Sequence, residues 1–184
     1  LDLDELAAEV RLGPHPLGLA LADVDPDLAP IAISSAEDQV AAAKALVQFW
    51  KDAGATAPRG NLGLDPLALA ARTGGAPDLS GIAEWVKATV DELPLVRALT
   101  VDVLPYDEAG AGDVDQLAFA LATGVTYLRA LEAEGIAPEV AVGQIAFRVS
   151  ANADQFLTIA RLRALRRLWS RIAEVSGVPA GARG

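Results

Sequence analysis

Apolar residues gather into four short runs along the chain. Each run is followed by a segment whose apolar positions recur at the helical spacing i, i+3, i+4, i+7. The first run is Ile31 to Ser35, followed by AEDQVAAAKALVQFW, where Ser35 is placed to cap a helix with Asp38 three residues later. The second is GNLGLDP, followed by a helical stretch from Leu67 to Arg72, a Gly-Gly break and DLSGIAEWVKATVDEL starting at Asp78. The third, ALTVDVLPY, sets Leu99, Val101 and Val103 against Thr100 and Asp102. It leads into a long helix from about Asp113 to Glu134 that Gly135 stops. The fourth, IAFRVSAN, leads into DQFLTIARLRALRRLW, with Asn152 placed as its cap. Strand and helix alternating in this way predict βαβ crossovers around a parallel sheet, an α/β fold.

Four βα units are half of a TIM-type (β/α)8 barrel, which takes about 250 residues. Residues 1–177 are therefore expected to form about half of such a barrel, and 178–184, VPAGARG, a linker or frayed end. A half barrel has two open sheet edges and an uncovered inner face. Those surfaces call for further chain, another copy or local rearrangement, so self-association is an expectation.

The last helix carries a concentration of arginine. At 100° per residue from Leu157, the residues Ala160, Ala164, Leu165, Leu168 and Ile172 share one face, while Arg163, Arg166 and Arg167 lie opposite. Arg161 breaks the pattern: it sits one turn after Leu157 and one turn before Leu165, inside the apolar stripe. A cation there is either paired with a carboxylate or carbonyl, or reaches through the core toward a ligand.

Charge decides what the other arginines are for. The 184 residues carry 15 Lys+Arg against 25 Asp+Glu, a formal net charge of −10. Such a chain opposes phosphate binding, so nucleic acid is not an expected partner and the arginines read as a solvated face. Residues of the hydrophobic class make up 52% of the chain and aromatics 5%, so the core must be mostly Ala, Leu and Val. No apolar run is long enough to cross a membrane. The start, LDLDELAAEV, lacks the basic region of a signal peptide. A translated chain keeps its methionine before leucine, so Leu1 is expected to mark a cut within a longer polypeptide.

Absent cysteine excludes disulfides, thiolate catalysis and cysteine zinc sites, and makes a reducing cytoplasm the default location. The single histidine, His15, lies in GPHPLG between prolines, with no second histidine for a metal cluster or a Ser-His-Asp arrangement. GNLG and TGG are glycine turns, not a P-loop or a dinucleotide fingerprint. The densest candidate is TVDVLPYDEAGAGD, which brings Asp102, Tyr106, Asp107 and Glu108 to the end of the third strand, where parallel α/β folds build their sites. These carboxylates can serve as acid and base, or cap helices on a wet loop.

ALTVDVLPYDEAGAGDVDQLAFALATGVTYLRALEAEGI, followed by IAFRVSANADQFLTIARLRALRRLWSRI, resembles the adenosylcobalamin-dependent acyl-CoA mutases, and among them the small subunit of methylmalonyl-CoA mutase. The EAGA turn, the YLRA segment, the DQF strand end and the RALRRLW helix carry the likeness over residues 98–176, with GNLGLDPLALAARTG similar upstream. The resemblance implies a substrate-binding (β/α)8 barrel and a separate cobalamin-binding domain. In catalytic subunits of the family, a cofactor radical interconverts methylmalonyl-CoA and succinyl-CoA.

Two departures qualify it. Where catalytic subunits carry a Tyr-His pair, this chain has Tyr106 and Asp107, and a carboxylate repels a developing oxyanion. Where they carry Gln-Asn-Asp, it reads NLGLD from Asn61 to Asp65. His15 and Gly18 have the spacing of the D-x-H-x-x-G cobalamin loop, but position 13 is Gly. The resemblance therefore implies a non-catalytic small subunit that stabilises a catalytic large subunit in a heterodimer. Adenosylcobalamin would be held by that partner, and this chain would hold no cofactor and no metal. Tyr106 and Asp107 become degenerate site positions, and Asn61, Asp102, Tyr106 and Arg161 the substrate-facing candidates. The family has a basic residue at the position of Arg161, which favours a structural pair. Two other readings stay open: that the chain is itself a catalytic isomerase using Tyr106, or a free-standing interaction module built from a mutase barrel, which predicts a compact monomer.

Overall fold

The computed structural model describes residues 16–182. It contains a four-stranded, all-parallel sheet in the order β1-β2-β3-β4, an α/β fold consistent with part of a TIM-type barrel. The strands are β1 (Ile31–Ala32), β2 (Gly60–Leu64), β3 (Val96–Asp102) and β4 (Ile145–Arg148). Sequential order with helical connections is the arrangement that right-handed βαβ crossovers produce. The described residues divide into two compact units, the first of residues 16–65 and 84–100, the second of residues 66–83 and 101–182. Strand β3 runs through both.

In the first unit, α1 (Pro16–Ala20), α2 (Gln39–Asp52) and most of α4 (Ile82–Glu92) accompany β1, β2 and the start of β3. Ile31 pairs with Gly60 and Ala32 with Asn61; Gly60 pairs with Val96 and Asn61 with Arg97, and the register then slips between Asn61 and Leu64. Glycine makes this slip feasible. Gly63 has φ +71°, and a Cβ there would lie 2.0 Å from the Ile33 carbonyl oxygen; at Gly60 the nearest atom, the Ile31 oxygen, would be 1.7 Å away. Helix α2 buries Ala42, Ala43, Leu46 and Trp50, a stripe at i, i+1, i+4, i+8, and Val86, Val96 and Leu99 complete a closed apolar core.

The cap of α2 is not Ser35 but Asp38, whose carboxylate accepts from the Ala41 amide at 2.8 Å. The Ser35 hydroxyl is used one turn earlier, accepting from the amides of Glu37 and Asp38, so the helix starts after that turn.

The second unit holds α3 (Pro66–Thr73), the end of β3, α5 (Leu104–Glu108), α6 (Asp113–Ala133), α7 (Pro138–Gly143), β4, α8 (Gln155–Val175) and a 3-10 turn at Ala180–Ala182. Helix α6 ends as the pattern predicts, with Gly135 at φ +77°. It buries Gln116, Ala120, Thr123, Gly124, Tyr127, Leu128 and Leu131. Gly124 sits under the Trp169 ring of α8, and a Cβ would lie 2.7 Å from Cζ3. That ring meets Phe147 of β4 edge-on at 4.9 Å. Val178 is buried.

Three expectations need correction here. The segment after Asp102, read as a loop, forms α5, because Pro105 stands at its start and the Asp102 carboxylate accepts from the Leu104 amide. The cap of α8 is Asp154, which accepts from the Leu157 amide; Asn152 instead accepts from the Asp154 amide and the Thr158 hydroxyl. The buried stripe of α8 is Arg161, Leu165, Trp169 and Ala173, while Leu157 and Leu168 are exposed. Periodicity locates an apolar arc, and the bulk of Trp169 against Gly124 selects which edge of it packs.

Candidate functional site

The second unit brings together the polar residues at the end of β3, around α5 and at the starts of α6 and α8. Asp102 closes β3 and is 9% exposed. Its Oδ1 accepts from the Leu104 amide at 3.0 Å, and its Oδ2 faces Arg148 Nη1 at 3.4 Å and Arg72 Nη2 at 3.7 Å. Arg72 also reaches the exposed Glu108 at 3.2 Å. Two guanidinium groups and two carboxylates thus neutralise one another, the arrangement that burial of charge demands.

Helix α5 carries the next pair. Tyr106, half-buried, stacks on Phe119 of α6 with centroids 4.2 Å apart and planes 11° from parallel. Asp107 Oδ1 accepts from Gln116 Nε2 at 2.6 Å, and the same amide nitrogen donates to the Ala111 carbonyl at 2.9 Å. Gln116 is 4% exposed. Its Oε1 accepts from Arg161 Nη1 and lies 3.4 Å from the Ser150 hydroxyl.

Arg161 is the hub of this network. Nη1 also donates to Asp113 Oδ1 at 2.9 Å, and Nη2 donates to the carbonyl and the hydroxyl of Ser150. The arginine inside the apolar stripe therefore has a carboxylate partner, Asp113 at the start of α6, where a negative charge also suits the helix dipole. Its Nε is buried with no hydrogen-bond partner among the described residues. The chain Asp107–Gln116–Arg161–Ser150 ties α5, α6, the end of β4 and α8 together.

Asn61 belongs to the first unit and turns into the sheet. Its amide donates to the Leu99 carbonyl at 3.2 Å and accepts from the Gly63 amide at 2.6 Å and the Thr100 hydroxyl at 2.8 Å. The side chain holds the irregular register of β2 against β3.

Of the positions singled out in the sequence, Asp107 and Arg161 are joined through Gln116, Asp102 belongs to a separate arginine cluster, and Asn61 stands in the other unit. Position 13 and His15 lie outside the described residues. Among the described residues, no group of three or more His, Cys, Asp or Glu is placed to hold a metal ion, and no helix is long and apolar enough to cross a membrane. Sequence reasoning missed Arg72, Asp113, Gln116, Arg148 and Ser150. Gln116 was findable, because it falls on the inward face of α6 with Ala120, Tyr127 and Leu131. A polar residue on such a face must have a partner.

A family model described as methylmalonyl-CoA mutase matches residues 66–179. The methylmalonyl-CoA mutase small subunit of Streptomyces virginiae is 50% identical over 164 residues, which cover 88% of this chain and 27% of that protein. The small subunit of Propionibacterium freudenreichii subsp. shermanii is 47% identical over 175 residues, 94% of this chain and 27% of the relative. That of Porphyromonas gingivalis is 36% identical over 95 residues, 48% of this chain and 15% of the relative. The chain spans about a quarter of the length of the first two.

Proposed function

The chain belongs to the methylmalonyl-CoA mutase family, and from that premise we propose that it is a barrel segment of a non-catalytic small subunit, whose role is to stabilise a catalytic large subunit by association. The heterodimer would interconvert methylmalonyl-CoA and succinyl-CoA. The observation that carries this reading is the state of Asp107. It stands where the resemblance calls for an imidazole on the thioester carbonyl, and its carboxylate is engaged by Gln116 within the Arg161 network. A carboxylate there opposes an oxyanion and, being acceptor-only, has no hydrogen to donate to one. Relatives at 50% and 47% identity that are named small subunits support the same reading.

Adenosylcobalamin is the cofactor the family implies, and the described residues do not fit it. The single histidine of the 184 residues, His15, lies outside the described residues and in a stretch whose D-x-H-x-x-G pattern fails at Gly13, and the carboxylates of Asp102, in its own arginine cluster, and of Asp107 and Asp113, in the Arg161 network, are each engaged by arginine or amide. No chemical step is assigned to this chain. The cofactor is assigned to the large subunit, and the proposed location is cytoplasmic.

Association is testable directly. The full-length polypeptide that carries this chain is mixed with the large subunit, and thermal unfolding of the large subunit is followed. Binding to the native state raises its midpoint in proportion to the logarithm of partner concentration. An unchanged midpoint, with no co-elution of the two polypeptides, would refute the stabilising role.

A further inference from the structure

The Asp102 cluster of the second unit keeps its anion inside and its cations outside. Asp102 ends β3, Arg148 ends β4, and Arg72 lies in the last turn of α3. The Val103 amide donates to the Arg148 carbonyl at 2.9 Å, so the two strand ends stand side by side, at the carboxyl edge where parallel α/β folds bind their ligands. The Asp102 side chain is 10% exposed, whereas those of Arg72 and Arg148 are 30% and 46% exposed. Val101 and Val103, on either side of Asp102 in the chain, are buried. A carboxylate in such a place costs more to bury than an apolar or amide side chain of its size, so packing alone does not call for it. Its Oδ1 accepts from the Leu104 amide, a bond that an asparagine would also make. The charge is used at Oδ2, which faces both guanidinium groups, Arg148 at 3.4 Å and Arg72 at 3.7 Å.

A carboxylate oxygen shared by two guanidinium groups at the end of a parallel sheet is also the way a protein holds the carboxylate of a ligand. We propose that Asp102 is a built-in ligand: from within the chain it occupies the anion position that Arg72 and Arg148 share, and so closes the ends of β3 and β4 to small carboxylates from solution. The inference deepens the non-catalytic reading above and rests on it. Charge supports the assignment. Arg72 and Arg148 are matched by Asp102 and Glu108, so a further anion would meet a cluster with no positive charge in surplus. The two carboxylates are not equivalent in this. The Glu108 side chain is 58% exposed and makes a screened surface contact, whereas Asp102 is fixed at the end of a strand and competes with any free anion at high effective concentration. Asp102 is therefore the residue that closes the position.

The test uses the full-length polypeptide and formate, the smallest carboxylate, as the probe. Asp102→Ala removes the internal anion and leaves room for formate; Asp102→Asn removes only the charge and keeps both the volume and the acceptor for the Leu104 amide. Binding is read by saturation transfer to the formate proton and by the rise of the unfolding midpoint with formate, with sodium chloride at equal ionic strength as the control. The expected result is formate binding to Asp102→Ala at least about tenfold tighter than to the unsubstituted polypeptide, in line with release from an internal competitor. Adding Arg148→Gln to Asp102→Ala should abolish the gain. Where Asp102→Ala does not fold, Asp102→Asn should show a gain in the same direction. Equal binding by the unsubstituted polypeptide and the folded variants would overturn the proposal, as would a gain that survives Arg148→Gln. None of these readouts involves turnover or the large subunit, so a failure here is separate from a failure of the small-subunit role.

Discussion

Replacing Arg161 with methionine tests how firmly the second unit depends on its buried cation. The substitution keeps the length of the side chain in the α8 stripe and removes every donor. Asp113, Gln116 Oε1 and the Ser150 carbonyl lose their guanidinium partner together. Removing one member of a buried ion pair costs about 3–5 kcal/mol. The Asp113 side chain is 37% exposed and recovers water, which places this case at the lower end, about 3 kcal/mol. At 1.4 kcal/mol per tenfold, that is an increase of about a hundredfold in amide exchange across the starts of α6 and α8, read by hydrogen exchange on the full-length polypeptide. Adding Gln116→Leu to Arg161→Met should not restore stability, because Gln116 Nε2 also donates to Asp107 and to the Ala111 carbonyl, and those acceptors then lose their partner as well. An Arg161→Met protein whose exchange in these segments changes less than about threefold, roughly 0.6 kcal/mol, would show the network to be incidental.

Other positions give independent outcomes. Gly124→Ala pushes a Cβ to 2.7 Å from the Trp169 ring and should cost about 1–3 kcal/mol in unfolding free energy, with Trp169→Phe restoring part of it; a neutral single variant would mean that α6 and α8 do not pack as described. Gly63→Ala combines a positive φ with a collision against backbone oxygen and should leave the polypeptide insoluble or lacking native exchange protection in β2, an outcome refuted by normal expression and protection. Asn61→Leu should destabilise by about 2–4 kcal/mol, because the Leu99 carbonyl and the Gly63 amide each lose a partner, and unfolding by urea would measure it. Asp27 is held below its ordinary carboxyl value, first by the Ala57 amide, then by the amide and hydroxyl of Thr56. A depressed folded value means that this clamp is fully present above the unfolded value of about 3.8 and is lost as pH falls through the lower folded one. The Thr56 amide resonance should therefore titrate with a midpoint below 3.8, and a midpoint above it would refute the clamp.

Much of this architecture is visible in the amino-acid order, and the reasons for the rest are physical. The four strands and the helix from Asp113 announce themselves because β-rich apolar runs and the 3.6-residue period alternate cleanly, and Gly135 ends that helix as a left-handed residue does. Caps were misplaced where two capping residues lie within a turn of each other, as with Ser35 and Asp38 or Asn152 and Asp154; local hydrogen bonding, not composition, decides between them. The buried edge of α8 follows from Gly124, 45 residues before Trp169 and linked to it by neither motif nor period, whose missing side chain admits that ring. The polar network was half legible. Arg161 advertised its need for a partner by interrupting an apolar stripe, whereas Arg72 and Arg148 look like ordinary surface arginines until the fold carries them to Asp102.

The central claim is that this chain belongs to a subunit with no catalysis of its own. The direct measurement is turnover of methylmalonyl-CoA to succinyl-CoA, with added adenosylcobalamin, by the full-length polypeptide purified without the large subunit. The account predicts conversion no faster than in the protein-free control, with activity appearing when the large subunit is supplied. Sustained conversion by the polypeptide alone would contradict it.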